Sequence, residues 1–212
     1  MWRPQGAALS VGRLDLRDPR APEVRELARG AGVPTVKRLA GGRAATLDRG
    51  CLCVGWAQSN PRMEDSGHRY ELLAETIVEA LNDLGVGASL AETLGEWCPG
   101  AWSVQGSAGK LAGLAQRVIS GAAWCEALIV IHRDPDLTAL ARRVHAALDL
   151  PWSDGAQGEL ADLVPDASEL HARLSDGLVA ALGRRLPAVA PAPLPGSVRE
   201  RAALLAGEHR WE

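Results

Sequence analysis

The chain has 212 residues, 47% apolar and 23% charged, with a formal net charge of -3. That length supports one sizeable core, and the dispersed, slightly acidic charge leaves no basic footprint for nucleic acid or an anionic membrane. No run approaches the ~20 apolar residues of a membrane span, and Arg3 and Pro4 stand where a secretory leader needs apolar residues, so the expected place is the cytoplasm with reduced thiols.

In chain order, residues 7–12 (A-A-L-S-V-G) read as a short strand ending at a glycine turn beside Arg13. Asp18-Pro19 and Pro22-Glu23 open a helix that runs to Gly30 or Gly32. Val33 to Arg38 is a strand entering the turn Leu39-Ala40-Gly41-Gly42-Arg43. The continuous apolar run Cys51 to Ala57 predicts a buried strand, and Gln58 to Gly67 an exposed loop. Leu73, Ile77, Leu81 and Leu84 share one face of a helix over 70–84. Segments 101–104 and 110–118 predict a hairpin across 105–109, and A-L-I-V-I-H (127–132) a further strand. Asp134-Pro135 opens a helix with Leu137, Leu140, Val144 and Leu148 in register. A helix over 166–185, a proline-rich connector over 187–195 and a last helix from Ser197 to Glu208 complete the chain. Strands and helices in this order indicate an α+β fold.

Three stretches carry chemistry. In G-K-L-A-G-L-A-Q-R-V (109–118), Lys110 heads an apolar run whose small residues Ala112, Gly113 and Ala115 admit close approach of a ligand or backbone. On those residues alone, a strand-initiating lysine reaching solvent is the simpler reading. In K-R-L-A-G-G-R-A (37–44), a Gly-Gly turn exposes backbone N–H groups between Arg38 and Arg43, the kind of arrangement that holds a carboxylate or phosphate. On chemistry alone, a plain hairpin turn with surface cations is the simpler reading. In E-W-C-P-G-A-W-S (96–103), Cys98 stands twelve residues before Lys110, and the Pro-Gly immediately after it argues for a loop rather than a core strand. The other thiols, Cys51, Cys53 and Cys125, lie in apolar runs and belong to the core. Neither the four cysteines nor the five scattered histidines match a zinc spacing, so no metal is expected.

The succession R-L-A-G-G-R-A-A, then G-K-L-A-G-L-A-Q-R, then a strand L-I-V-I resembles the lipoate–protein ligase and octanoyltransferase family, which shares its catalytic fold with biotin–protein ligases. The family's glycine motif reads R-R-x-S-G-G-G-A and its lysine motif G-x-K-x-x-G-x-A-Q. Here Ala40 replaces the serine and Arg43 one glycine, and Ala123-Trp124-Cys125-Glu126 replace a histidine-glycine pair. Met1-Trp2-Arg3-Pro4 resembles a point well inside the domain, so the expectation is an N-terminally trimmed catalytic domain over 1–186, with 187–212 as connector and terminal helix packed on it.

The resemblance implies a mixed β-sheet packed with α-helices and attachment of an octanoyl or lipoyl group to a lysine of a lipoyl domain or a glycine-cleavage H-type carrier. In one branch of octanoyltransferases a cysteine placed like Cys98 takes the acyl group as a thioester, which needs no nucleotide or other cofactor. On that reading an acyl carrier protein is the donor, Cys98 is the nucleophile, and Lys110 binds the acyl carbonyl. Arg38, Gly41, Gly42, Arg43 and Ala44 then shape one wall, with Gly113 and Ala115 along the acyl tunnel. The alternative is an ATP-dependent lipoate ligase, with magnesium, in which Arg38, Arg43 and Lys110 hold an acyl-adenylate. A third possibility is a silent module that binds an acyl group or acyl carrier without turnover.

Overall fold

The computed structural model describes residues 1–59, 61–186, 193 and 195–211. Two sheets face one another, each backed by helices on its far side. The small sheet holds β1 (Ala8–Val11) between β2 (Thr35–Lys37), parallel to it, and β3 (Ala45–Leu47), antiparallel. A one-turn helix α1 (Arg13–Leu16) and the longer α2 (Ala21–Gly30) connect β1 to β2. The large sheet is antiparallel throughout, in the order β4 (Cys51–Ser59), β8 (Ala122–Val130), β7 (Gly109–Ile119), β6 (Val104–Gly106), β5 (Ser89–Leu90). The mixed sheet expected from the sequence is thus the small one.

Helices α3 (Ser66–Asp83) and α5 (Leu170–Arg185) pack together and cover the large sheet. Leu73, Ile77 and Leu81 of α3, and Leu170, Leu174 and Leu178 of α5, meet Leu52, Ile129 and Ala112 there. The periodicity of those leucines is what a single buried stripe requires. α4 (Pro135–Ala147), capped by the Asp134 carboxylate on the N–H groups of Asp136 and Leu137, packs with α2 behind the small sheet. Leu9, Val11, Val24, Leu140 and Val144 form that second core.

Several boundaries move from their sequence positions. The β6–β7 turn tightens to Ser107-Ala108, with Gly109 at φ +107°. β8 starts at Ala122 rather than Ala127, because Ala122 to Glu126 pair fully with β7 across a Ser120-Gly121 turn. α3 begins four residues early, and α5 begins at Leu170 because Glu169 adopts φ +51°. Residues 45–47, too short a run to show a strand period, form β3 by pairing with β1. The proline-rich connector falls, apart from Pro193 and Pro195, outside the described residues. Beyond it, α6 (Gly196–His209) buries none of its side chains, and the chain returns to β2 through residues 209–211. There Trp211 N donates to Thr35 O at 3.2 Å, and Trp211 packs on the second core.

Candidate active site

Cys98 lies between the two sheets, on the loop that enters β6. Its backbone is left-handed, at φ +42°, a conformation that costs a non-glycine residue of order 1–3 kcal/mol and persists only where the surroundings impose it. The imposing group is a buried ion pair. Glu96 is 0% and Lys110 1% exposed, and Lys110 Nζ lies 3.1 Å from Glu96 Oε1. The ammonium also donates to Trp97 O at 2.9 Å and to Cys98 O at 2.8 Å. Three protons therefore meet three acceptors. Glu96 in turn accepts from the Thr93 and Gly100 amides, from Ser103 Oγ and from Gln105 Nε2. Burial pushes the Lys110 ammonium below its ordinary range, against the opposing pull of Cys98 and Glu96. The expected task of Lys110, donating to an acyl carbonyl, thus meets an ammonium already committed to the loop that carries Cys98.

The small sheet supplies the opposite side. Arg43 N donates to Cys98 Sγ at 3.1 Å, and Arg38 Nη2 stands 3.9 Å from the same sulfur. Arg38 Nη2 also holds Arg43 O at 2.6 Å, while Arg38 Nε is buried without a partner among the described residues. The Arg43 guanidinium turns away from the sulfur and pairs with the fully buried Asp15 at 2.7 Å. Asp15 Oδ2 accepts from Ala44 N. Burial raises the Asp15 carboxyl above its ordinary value, partly offset by Arg43 and the Ala44 amide. Gly42 has φ +96°, and a Cβ there would sit 2.8 Å from Cys98 Sγ and 2.9 Å from Arg38 Nη2. A Cβ on Gly12 would lie 2.1 Å from Gly42 O. The turn needs glycine at both places to bring its backbone onto the sulfur.

A cavity of about 220 Å³ separates the sheets and reaches Cys98. Gly113, Ala115 and Leu128 line it from the large sheet, Ser10, Val36 and Leu47 from the small one. Arg38 stands on its wall, as does Glu126, which accepts a hydrogen bond from Trp124 Nε1 at 2.7 Å. Gly113 packs against the Trp97 ring, where a Cβ would come within 3.0 Å. A mainly apolar cleft with a few polar groups on its walls suits a small ligand with an apolar chain.

Of the residues singled out from sequence, Cys98, Lys110, Arg38, Gly42 and Arg43 converge, and Gly113 and Ala115 line the cavity as expected from their size. Gly41 and Ala44 do not reach it. The Gly41 amide donates to Gln116 O at 3.3 Å, and Ala44 is buried in the second core. Arg43 contributes its amide rather than its charge. Sequence reasoning gave no role to Glu96, Asp15, Tyr70 or Trp102. Asp15 sits in R-L-D-L-R-D-P-R, which looks like solvated surface, and Glu96 stood within the cysteine motif with nothing to show its burial. The remaining cysteines are core: burial raises Cys51 and Cys125 to about 11 and Cys53 to about 12. Among the described residues no cluster of histidine, cysteine and carboxylates could hold a metal, and no helix is long and apolar enough to cross a membrane.

This geometry sits in a known architecture. A lipoate-protein ligase A bound with ATP superposes with a TM-score of 0.75 at 19% identity, over 96% of this chain and 78% of that one. A putative lipoate protein ligase from T. acidophilum with bound lipoic acid gives 0.73 at 18%, with the same coverages. A bi-partite ligase described with its E2 lipoyl domain from Thermoplasma acidophilum gives 0.68 at 17%, over 96% and 77%. At these identities the likeness establishes the fold. The family model of the lipoyl protein ligase A/B catalytic domain matches residues 1–158. With both motifs gathered at one cavity, the chain belongs to the lipoyl protein ligase A/B catalytic-domain family.

Proposed function

We propose that this protein transfers an octanoyl or lipoyl group to a carrier-domain lysine through a thioester on Cys98. The observation that supports it most is the placement of the Cys98 sulfur. Cys53 also lines the apolar cavity, but it is buried and burial pushes its thiol up to about 12, whereas Cys98 is the one thiol that is not fully buried and it faces two donors, the Arg43 amide and the Arg38 guanidinium. In the first step the Cys98 sulfur attacks the carbonyl carbon of a donor thioester. A C–S bond to Cys98 forms, the C–S bond to the donor breaks, and the donor thiol leaves with the proton Cys98 gives up. In the second step the carrier lysine's neutral amine attacks. A C–N bond forms, the C–S bond to Cys98 breaks, and the sulfur recovers a proton from the amine. Each step passes through an oxyanion, and a donor fixed in place before charge develops is where a protein gains most. Arg38, which lines the cavity with Nη2 3.9 Å from the sulfur, fits that need better than Lys110, which acts by holding Cys98 in place.

A second reading is ATP-dependent ligation, as suggested by the ATP-bound relative. The same Arg38 and the glycine-turn amides would then face an acyl phosphate. A lipoyl domain as acceptor is suggested by the relative described with its E2 lipoyl domain; an acylated carrier protein as donor and a cytoplasmic setting are part of the same proposal. The two routes separate in one assay of lipoyl-domain modification. The thioester route predicts product from octanoyl-carrier without nucleotide and none from Cys98→Ala. Product that requires ATP, magnesium and free lipoate, and is indifferent to Cys98→Ala, moves the assignment to the ligase.

A further inference from the structure

A second cavity, of about 190 Å³, opens on the other side of Cys98. It shares only Cys98 and Leu114 with the between-sheet cavity. Its walls are Gly42, Pro99, Gly100 and Ala101 together with Tyr70 and Trp102. The two rings stack with centroids 5.4 Å apart and planes 6° from parallel, making a flat face beside the nucleophile. Among the described residues no carboxylate lines the cavity, and its one cation is Lys110, whose protons are all taken. The space is therefore narrow, aromatic on one side and electrically quiet. It suits neither a nucleotide nor a free fatty acid.

The thioester reading, on which this inference rests, leaves a need that such a space answers. The acyl carbonyl sits at the sulfur with its chain in the apolar cavity. The group that departs in the first step and the group that arrives in the second must then both lie on the side away from the chain. We infer that the Tyr70–Trp102 cavity is the exchange subsite. It holds the slender, uncharged arm that delivers the thioester, and afterwards the unbranched side chain of the acceptor lysine in its neutral form. The lack of a carboxylate favours an amine without its proton, the form able to attack.

Obstructing the subsite tests this. Gly100 lines the cavity and a Cβ there would meet nothing within 4 Å, so Gly100→Leu is the variant chosen to put bulk into it. Loading of Cys98 would be followed by intact mass with two octanoyl donors, the long-armed S-octanoyl-pantetheine and the armless S-methyl thiooctanoate. The inference predicts that Gly100→Leu slows loading from pantetheine at least tenfold more than from the methyl thioester. Trp102→Ala should raise KM for the pantetheine donor alone. Pre-loaded Cys98 should likewise pass its acyl group to a lipoyl domain more slowly in Gly100→Leu, but to hydroxylamine at the wild-type rate. Equal slowing of both donors, or of neither, overturns the inference, and Trp102→Ala carries the test if Gly100→Leu does not fold. A wild-type protein that loads from neither donor overturns the thioester reading itself, and the inference falls with it.

Discussion

Two charged clusters meet at Cys98, one from each sheet, and they are built in opposite ways. On the large sheet, Glu96 and Lys110 are sealed from solvent, and the ammonium's protons are all committed to Glu96 and to two backbone carbonyls. On the small sheet, Asp15 is sealed and pairs Arg43, but Arg38 has a buried nitrogen with no partner among the described residues and stands on the cavity wall. A saturated cluster fixes geometry, whereas a guanidinium that lines a cavity keeps a face open to what the cavity holds. The lysine that the family motif marks out is therefore, in this chain, a support for the loop that carries Cys98. The arginine that opens the glycine motif lines the cavity beside the Cys98 sulfur, and on the proposed route it is the group that meets substrate.

The largest effect expected from breaking this contrast is on stability. Lys110→Met strands the Glu96 carboxylate in the interior and should destabilise the fold by about 3–5 kcal/mol, read by chemical denaturation. Adding Glu96→Gln removes the stranded charge, so the double variant should unfold at higher denaturant than Lys110→Met alone. Its transfer rate should nevertheless stay low, because the Cys98 loop has lost its clamp. Full activity in the double variant would show that the pair does not position Cys98.

Arg38→Met should behave in the reverse manner. Removing one oxyanion donor typically lowers kcat by about 10²–10³-fold, and the loss should appear in the acylation step while the denaturation midpoint moves little. A large loss of stability with an unchanged rate would exchange the roles of the two clusters.

Asp15→Asn is the third and smaller step. It leaves Arg43 without its counter-ion and weakens the bond to Ala44 N, for about 1–3 kcal/mol. The pH dependence has a definite sign. Because the folded carboxyl is raised above its unfolded value near 3.8, the native state binds the proton more readily. The Asp15 contribution to stability is therefore complete below that value and is lost as pH rises through the folded one. The stability of wild type relative to Asp15→Asn should accordingly fall as pH is raised from below 3.8 through Asp15's own titration, and a difference that rises with pH there would contradict it.

How much of the molecule is legible in the sequence depends on how local each signal is. The helical stripe of Leu73, Ile77 and Leu81 announces α3 because its period of burial is written in neighbouring residues, and the apolar run from Cys51 announces β4, although only Cys51, Leu52 and Cys53 of that run are buried. Cys98 could be placed in a loop from Pro99-Gly100, and the small size of Gly113 and Ala115 marks a place of close approach, which only the family resemblance turns into a cavity wall. The partners of Lys110 could not be read. A buried ion pair between positions 96 and 110 depends on the β6–β7 register, and the burial of Asp15 depends on α1 folding under the glycine turn. Likewise the stack of Tyr70 on Trp102 joins α3 to a loop thirty-two residues away. Local pattern carries the elements and the motif. The direction in which each charge points is a tertiary fact.

The central claim is that Cys98 is the residue that carries the acyl group, and its most direct test is intact mass spectrometry of the protein mixed with octanoyl-acyl carrier protein in the absence of ATP. The account predicts a single octanoyl adduct that hydroxylamine removes and that Cys98→Ala abolishes. No adduct on the wild type, with lipoyl-domain modification by Cys98→Ala once lipoate, ATP and magnesium are supplied, would contradict it.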